Sequence, residues 1–284
     1  MIEVIFLYGL AFVWLIFAVI SDLKSREIPN WLNFSLIAFA FGFRFFYSLF
    51  VSTDFSLFYQ GILGFSIFLV LGNLFYYNKM FAGGDMKLMI SLGAVLPIFS
   101  SFAQNLKLFL LFILIYLFVG AIYGIFLSLI IGVINFKKFK KGFLVLFNKN
   151  KKLIIRGTFF AFVFILLSFY INYLFYFGIL IFVFPYFYLF LKSVDDFCMV
   201  REVIPSKLTP GDWLSEDIKV KGKTFRANWD GLSEEEINRL KKRGKKVLIR
   251  YGIQFAPVFL ISFIFLWIFL ETTFFDLFFR SIGF

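Results

Sequence analysis

The sequence predicts an all-α polytopic membrane protein of about eight transmembrane helices with a small cytoplasmic insert. Three observations carry that expectation. Apolar residues fill 61% of the 284 positions and charged residues only 16%, where soluble domains carry about a quarter charged. The apolar residues fall in runs of about 20, the length a helix needs to cross a bilayer. The basic residues gather between those runs, so the net charge of +12 reads as membrane anchoring and not as a nucleic-acid surface.

The expected spans are 2–21, 31–51, 56–77, 86–103, 107–135, 154–171, 174–193 and 251–271. The first has no basic stretch before it, and its first positive charge, Lys24, comes after it. It therefore reads as a span and not as a signal peptide. The second opens on Pro29-Asn30-Trp31: proline sets φ and needs no N–H bond, and Trp31 suits the interface. The stretch from Leu153 to Leu191 is too long for one helix and is expected to turn near Ile171-Asn172-Tyr173. Arg44, within the second span, is expected to snorkel or to pair with Asp54. The 49 phenylalanines are a lipid-facing bias without specific chemistry.

Twenty-six of the 29 basic residues lie in four segments, at 24–26, 79–87, 137–156 and 192–250. Cytoplasmic loops carry such an excess, so the alternation predicts an outside N-terminus in a plasma membrane. Residues 194–250 hold ten of the 17 acidic residues and suffice for a small subdomain. Within it Ser233-Glu234-Glu235-Glu236 forms a capping-box pattern for a short helix, with Lys241, Lys242 and Arg243 at its end and Gly244 as its stop. Residues 218–226 alternate around Gly222 and predict a small hairpin. The expected organisation is a membrane-embedded core at 1–193, with helices one to four catalytic and five to seven accessory. The cytoplasmic subdomain at 194–250 and a last helix with tail at 251–284 follow it.

The first 193 residues carry only five carboxylates: Glu3, Asp22, Glu27, Asp54 and Asp85. An ionisable group kept at a bilayer edge is a functional hypothesis, because hydrocarbon penalises its charge. Asp22, alone, would be a solvated residue flanking a helix, but Ile28-Pro29-Asn30 makes the following loop short and ordered. Asp85 follows Ala82-Gly83-Gly84, which in its bland reading is a plain loop with an acidic helix start. Gly83 and Gly84 also suit a backbone that another chain must approach closely. Two carboxylates can hydrolyse an amide, one taking a proton from water while the other protonates the leaving group. Glu27 is the rival partner, a candidate substrate contact whose simpler reading is a solvated loop charge. Lys87 and Trp31 read as interface anchors. With no histidine, the histidine bases, Ser-His triads and most zinc sites are excluded. Cys198, the one cysteine, allows neither an intramolecular disulfide nor a cysteine-rich metal cluster. No cofactor is expected.

Asp22 with Ile28-Pro29-Asn30, and Gly84-Asp85-Met86-Lys87-Leu88, resemble the two aspartate motifs of the prepilin peptidases, the intramembrane aspartyl proteases named for a Gly-x-Gly-Asp motif. The archaeal branch, which processes preflagellins and pilin-like precursors, is the nearer likeness. Leu208-Thr209-Pro210-Gly211-Asp212-Trp213-Leu214, with Gly252-Ile253 and Pro257, is similar to longer archaeal members. The resemblance implies that Asp22 and Asp85 are the catalytic pair. It implies a preflagellin or type IV prepilin-like substrate with a short basic leader, and membrane lipid as the only other partner. Ala82 departs from the motif, standing where its first glycine is expected. Bacterial relatives add a methyltransferase region with paired cysteines, so a single cysteine implies no N-methylation and no zinc. A presenilin-like protease shares the motif but is expected to place Tyr before the first aspartate, where this chain has Ser21. A transporter using the carboxylates as a proton or cation relay would want them near mid-membrane.

Overall fold

The computed structural model describes residues 2–220, 223–228, 231–242, 246–272, 275, 278 and 279. Lys221-Gly222 of the expected hairpin and Arg243-Gly244 of the expected helix stop lie outside them. Eight helices come first: α1 (Ile2–Ser25), α2 (Asn30–Tyr47), α3 (Ser56–Tyr77), α4 (Gly83–Val95), α5 (Phe102–Ile134), α6 (Phe136–Lys149), α7 (Lys151–Leu167) and α8 (Leu174–Ser193). Four strands, β1 (Val200–Val203), β2 (Trp213–Leu214), β3 (Ile218–Val220) and β4 (Lys223–Phe225), precede α9 (Glu234–Lys241), β5 (Val247–Arg250) and α10 (Ala256–Glu271). The chain is an all-α polytopic membrane protein in which β structure is confined to a few short strands. Its contacts divide it into two compact units, Met1–Tyr123 with Gln254–Phe284, and Gly124–Ile253.

Among the described residues five helices are long and apolar enough to cross a membrane: α1, α2 with its extension to Ser52, α3, α5, and α8 with its extension to Cys198. Where spans were expected at 86–103, 154–171 and 251–271, the helices run only 13, 17 and 16 residues. The causes are local. Pro97 offers no N–H to carry α4 further, and Pro257, which suits a first helical turn, starts α10 late. Ser168 closes α7 by donating its hydroxyl to the Ile165 carbonyl at 2.6 Å.

In the first unit α1 buries Leu7, Ala11, Leu15, Ala18 and Asp22, a row spaced by three or four residues and therefore one face of the helix. Asp22 thus continues the core stripe inward. Every residue of α4 from Leu88 to Val95 is buried. It packs on α3 through small residues: a Cβ at Gly93 would lie 2.8 Å from the Gly64 carbonyl oxygen and 2.5 Å from Phe68 Cβ. Backbones this close are how helices associate in lipid, where apolar burial drives nothing.

Arg44 neither snorkels nor pairs with Asp54. It is fully buried, and its guanidinium donates to the carbonyls of Ala94 (2.8 Å), Val95 (3.0 Å), Pro97 and Leu57 (2.7 Å). A cation here satisfies the orphan carbonyls that end α4 and opposes the helix dipole. Asp54 instead accepts from the Ser56 hydroxyl and N–H, bonds that hold its carboxyl below the usual range.

In the second unit α7 and α8 form the expected hairpin around residues 168–173. α6, where a basic loop was expected, is an amphipathic helix: Phe139, Phe143 and Phe147 follow one another along one side, with ring centroids 5.8 and 6.3 Å apart, between lysine-bearing turns. The β3–β4 hairpin forms with Ile218 opposite Phe225. α9 carries the full capping box, the Glu236 N–H donating to Ser233 Oγ and the Ser233 N–H to the Glu236 carboxylate. The sequence reading missed the antiparallel sheet β1-β5-β2, whose strands of two to four residues are too short to show an alternation.

Candidate active site

Asp22 sits one turn before the end of α1, which stops where Arg26 takes a positive φ of 60°. Side chains order the loop that follows. Ser21 Oγ donates to the Glu27 carbonyl at 3.0 Å, and Ser25 Oγ to the Ser21 carbonyl at 2.9 Å. These bonds present Ile28, which is buried, to the start of α4. A Cβ on Gly84 would touch Ile28 Cβ at 3.4 Å, so Gly84 serves a close loop-to-helix contact. Gly83 differs, because a Cβ there would meet nothing within 4 Å. Ala82, the departure from the motif, is the extended N-cap of α4 at φ −75° and ψ 163° and is exposed.

Asp85 lies in the first turn of α4 and is half-buried. The two carboxylates, 63 residues apart in sequence and on different helices, are within electrostatic range of each other. That proximity does not depend on the number of spans. Asp22 is only 7% exposed, and its Oδ2 accepts the backbone N–H of Ala256 at 3.0 Å, with the Phe255 N–H also directed at the carboxylate. The N-terminus of α10 therefore points at Asp22, and its free N–H groups and dipole favour an anion there. Lys87 Nζ donates to Asn30 Oδ1 at 2.7 Å, tying the second turn of α4 to the start of α2. Trp31 is exposed, as an interface anchor requires. Glu27 is exposed and contributes its backbone carbonyl to the loop.

Two features escaped the sequence. The docking of α10 on Asp22 spans 234 residues; Pro257 signalled a helix start but not its target. Tyr116, buried in α5, lies within electrostatic range of Asp85, and nothing in its Phe- and Leu-rich run distinguishes it. Among the described residues no group of three or more His, Cys, Asp or Glu is placed to hold a metal ion.

Residues 9–125 match the model of the Type IV leader peptidase family, a segment that contains both aspartates and Tyr116. The chain is similar to a preflagellin peptidase of Methanococcus maripaludis, 36% identical over 85 residues, which cover 30% of this chain and 36% of that protein. It is also similar to a preflagellin peptidase of Methanocaldococcus jannaschii, 39% identical over 83 residues, which cover 29% and 35%. The match thus spans about a third of the length of these curated relatives. No solved structure matches.

Proposed function

We propose that this chain is a membrane aspartyl endopeptidase that removes the short basic leader from preflagellin or type IV prepilin-like precursors at the cytoplasmic face of the plasma membrane. The observation that supports the reading is that Asp22 and Asp85, both partly or wholly buried, lie within electrostatic range of each other inside the segment that matches the leader peptidase family.

Two carboxylates that interact in a partly buried site share one proton and titrate as a pair. Asp22, which accepts N–H bonds from α10, is the ionised partner, because hydrogen bonds to a carboxylate favour its charged form. It takes a proton from water as the oxygen attacks the scissile carbonyl. Asp85 carries the shared proton, polarises the carbonyl oxygen and then protonates the leaving amine. The peptide bond and one water become a carboxylate and an amine, with no metal or covalent intermediate. Glu27, exposed beside the loop, is placed to meet a basic leader without entering the chemistry. The chain has no N-methylation activity, since the paired cysteines of the bacterial enzymes are absent from its sequence.

Coexpression with candidate precursors, read by size shift, tests this reading. Leader removal from a flagellin-like or pilin-like precursor is expected. Intact precursor in both cases, with the peptidase inserted, would overturn it.

A further inference from the structure

α5 faces both halves of the aspartate site with the same side. Tyr116 and Tyr123 are seven residues, two helical turns, apart, and Gly120 lies between them. The Tyr116 ring packs on Phe81, just before the turn that carries Asp85, with centroids 5.7 Å apart, and on Phe255, whose neighbour Ala256 binds Asp22, at 6.1 Å. Phe259 lies against it at 4.7 Å. Gly120 lets Phe255 approach, since a Cβ there would be 3.1 Å from the Phe255 ring. Tyr123 takes the other edge of Phe255 at 6.1 Å. Three aromatic contacts thus fix the Tyr116 ring against the two segments that hold the two acids.

The hydroxyl is the anomaly. Tyr116 is 2% exposed, and its oxygen has no hydrogen-bond partner among the described residues. Buried polar groups are nearly always paired, and an orphan calls for an explanation. A purely structural site would be better filled by phenylalanine, which fits the same aromatic cage without desolvating an oxygen. An interaction absent at rest and made only as charge develops is what lowers a reaction barrier.

We propose that Tyr116 is a positioning residue of the aspartate pair, whose hydroxyl donates a hydrogen bond to the Asp85 carboxylate formed when Asp85 gives its proton to the leaving amine. The inference rests on the peptidase reading above. The tyrosine keeps its own proton throughout; the transferred proton is that of Asp85, and water supplies its replacement through Asp22. Among the described residues, the titratable groups in electrostatic range of the pair are Tyr116 and Tyr123 from α5 and Arg26, which follows α1.

The sign of the pH effect follows. A donor to the carboxylate favours the ionised form, so removing it makes Asp85 harder to ionise. The proton that Asp85 must hold for catalysis then persists to higher pH.

The test uses Tyr116→Phe in the full chain, reconstituted in liposomes, with a synthetic precursor bearing a short basic leader. The expected result is a kcat about 10- to 100-fold lower with KM changed less than about twofold, an alkaline limb of the pH profile moved upward, and a melting temperature equal to or above wild type. Unchanged kcat and pH profile would overturn the proposal, and so would a loss of activity matched by a loss of folding. A second measurement is independent of turnover: the infrared band of the protonated carboxyl, identified by its loss in Asp85→Asn, should titrate at higher pH in Tyr116→Phe. The same midpoint in both proteins defeats the Tyr116 proposal whether or not the chain is a peptidase. A shifted midpoint in a protein that cleaves no precursor would instead leave Tyr116 coupled to Asp85 and defeat the peptidase reading.

Discussion

At Asp22 two helix termini compete. The residue lies near the C-terminal end of α1, where the dipole disfavours a carboxylate, yet it receives the N-terminus of α10, where backbone N–H groups favour one. A direct hydrogen bond at 3.0 Å outweighs a dipole that fades within a turn, so Asp22 is expected to be the ionised member and Asp85 the proton carrier. From α1 and α4 alone the dipoles favour the opposite division, Asp22 as the acid and Asp85 as the base, because the end of α1 disfavours an anion and the start of α4 favours one; α10 reverses the balance. Infrared spectra of the two Asn variants near neutral pH check this: the protonated carboxyl band should vanish in Asp85→Asn and persist in Asp22→Asn, and the opposite pattern would exchange the roles. Glu27→Gln should keep most of its activity, because the side chain is exposed and takes no part in the proton transfers; a loss as deep as that of the aspartate variants would place it in the chemistry. The candidate pair was legible because carboxylates are scarce in the first 193 residues and because the residues around both resemble the two aspartate motifs. Tyr116 was not legible, since one tyrosine in an apolar helix carries no periodic or charge signal.

At the scale of elements, α4 is the part whose placement the site depends on, because it carries Asp85 and is enclosed along its length. Two contacts hold it. Its C-terminal carbonyls are bound by Arg44, and its Gly93 lies against the backbone of α3. Arg44→Gln leaves buried carbonyls unpaired and is expected to cost about 3 kcal/mol, read as a lower melting temperature in detergent; an unchanged value would mean that water replaces the guanidinium. Gly93→Val forces α3 and α4 apart, with an expected cost of about 2 kcal/mol or more, and should lower kcat along with stability because Asp85 moves with its helix. Arg44 was expected to snorkel because an arginine in an apolar run most simply reaches for the interface. Only the end of α4, 50 residues further on, gives it an internal use. α6 was likewise hidden, since its lysines read as loop charge until the phenylalanines between them are placed on one helical side.

For the whole molecule, composition was enough to identify a polytopic membrane protein, and the aspartate motifs pointed to the first four helices. Span number was less legible, because hydropathy registers apolar length and is blind to the proline stops that shorten α4 and α10. Sidedness rests on the basic residues: with Cys198 replaced by Ser, single cysteines at Leu144 in α6 and at Glu216, both exposed, are expected to react with a membrane-impermeant reagent only from the cytoplasm. Labelling from outside intact cells would move the site to the other face. The central claim is that two carboxylates on separate helices act as one hydrolytic pair. The measurement that tests it most directly is single-turnover cleavage of a purified precursor by wild type, Asp22→Asn and Asp85→Asn, with each protein's melting curve recorded alongside. The account predicts leader removal by wild type and none by either variant at unchanged folding; near-normal turnover by either folded variant would contradict it.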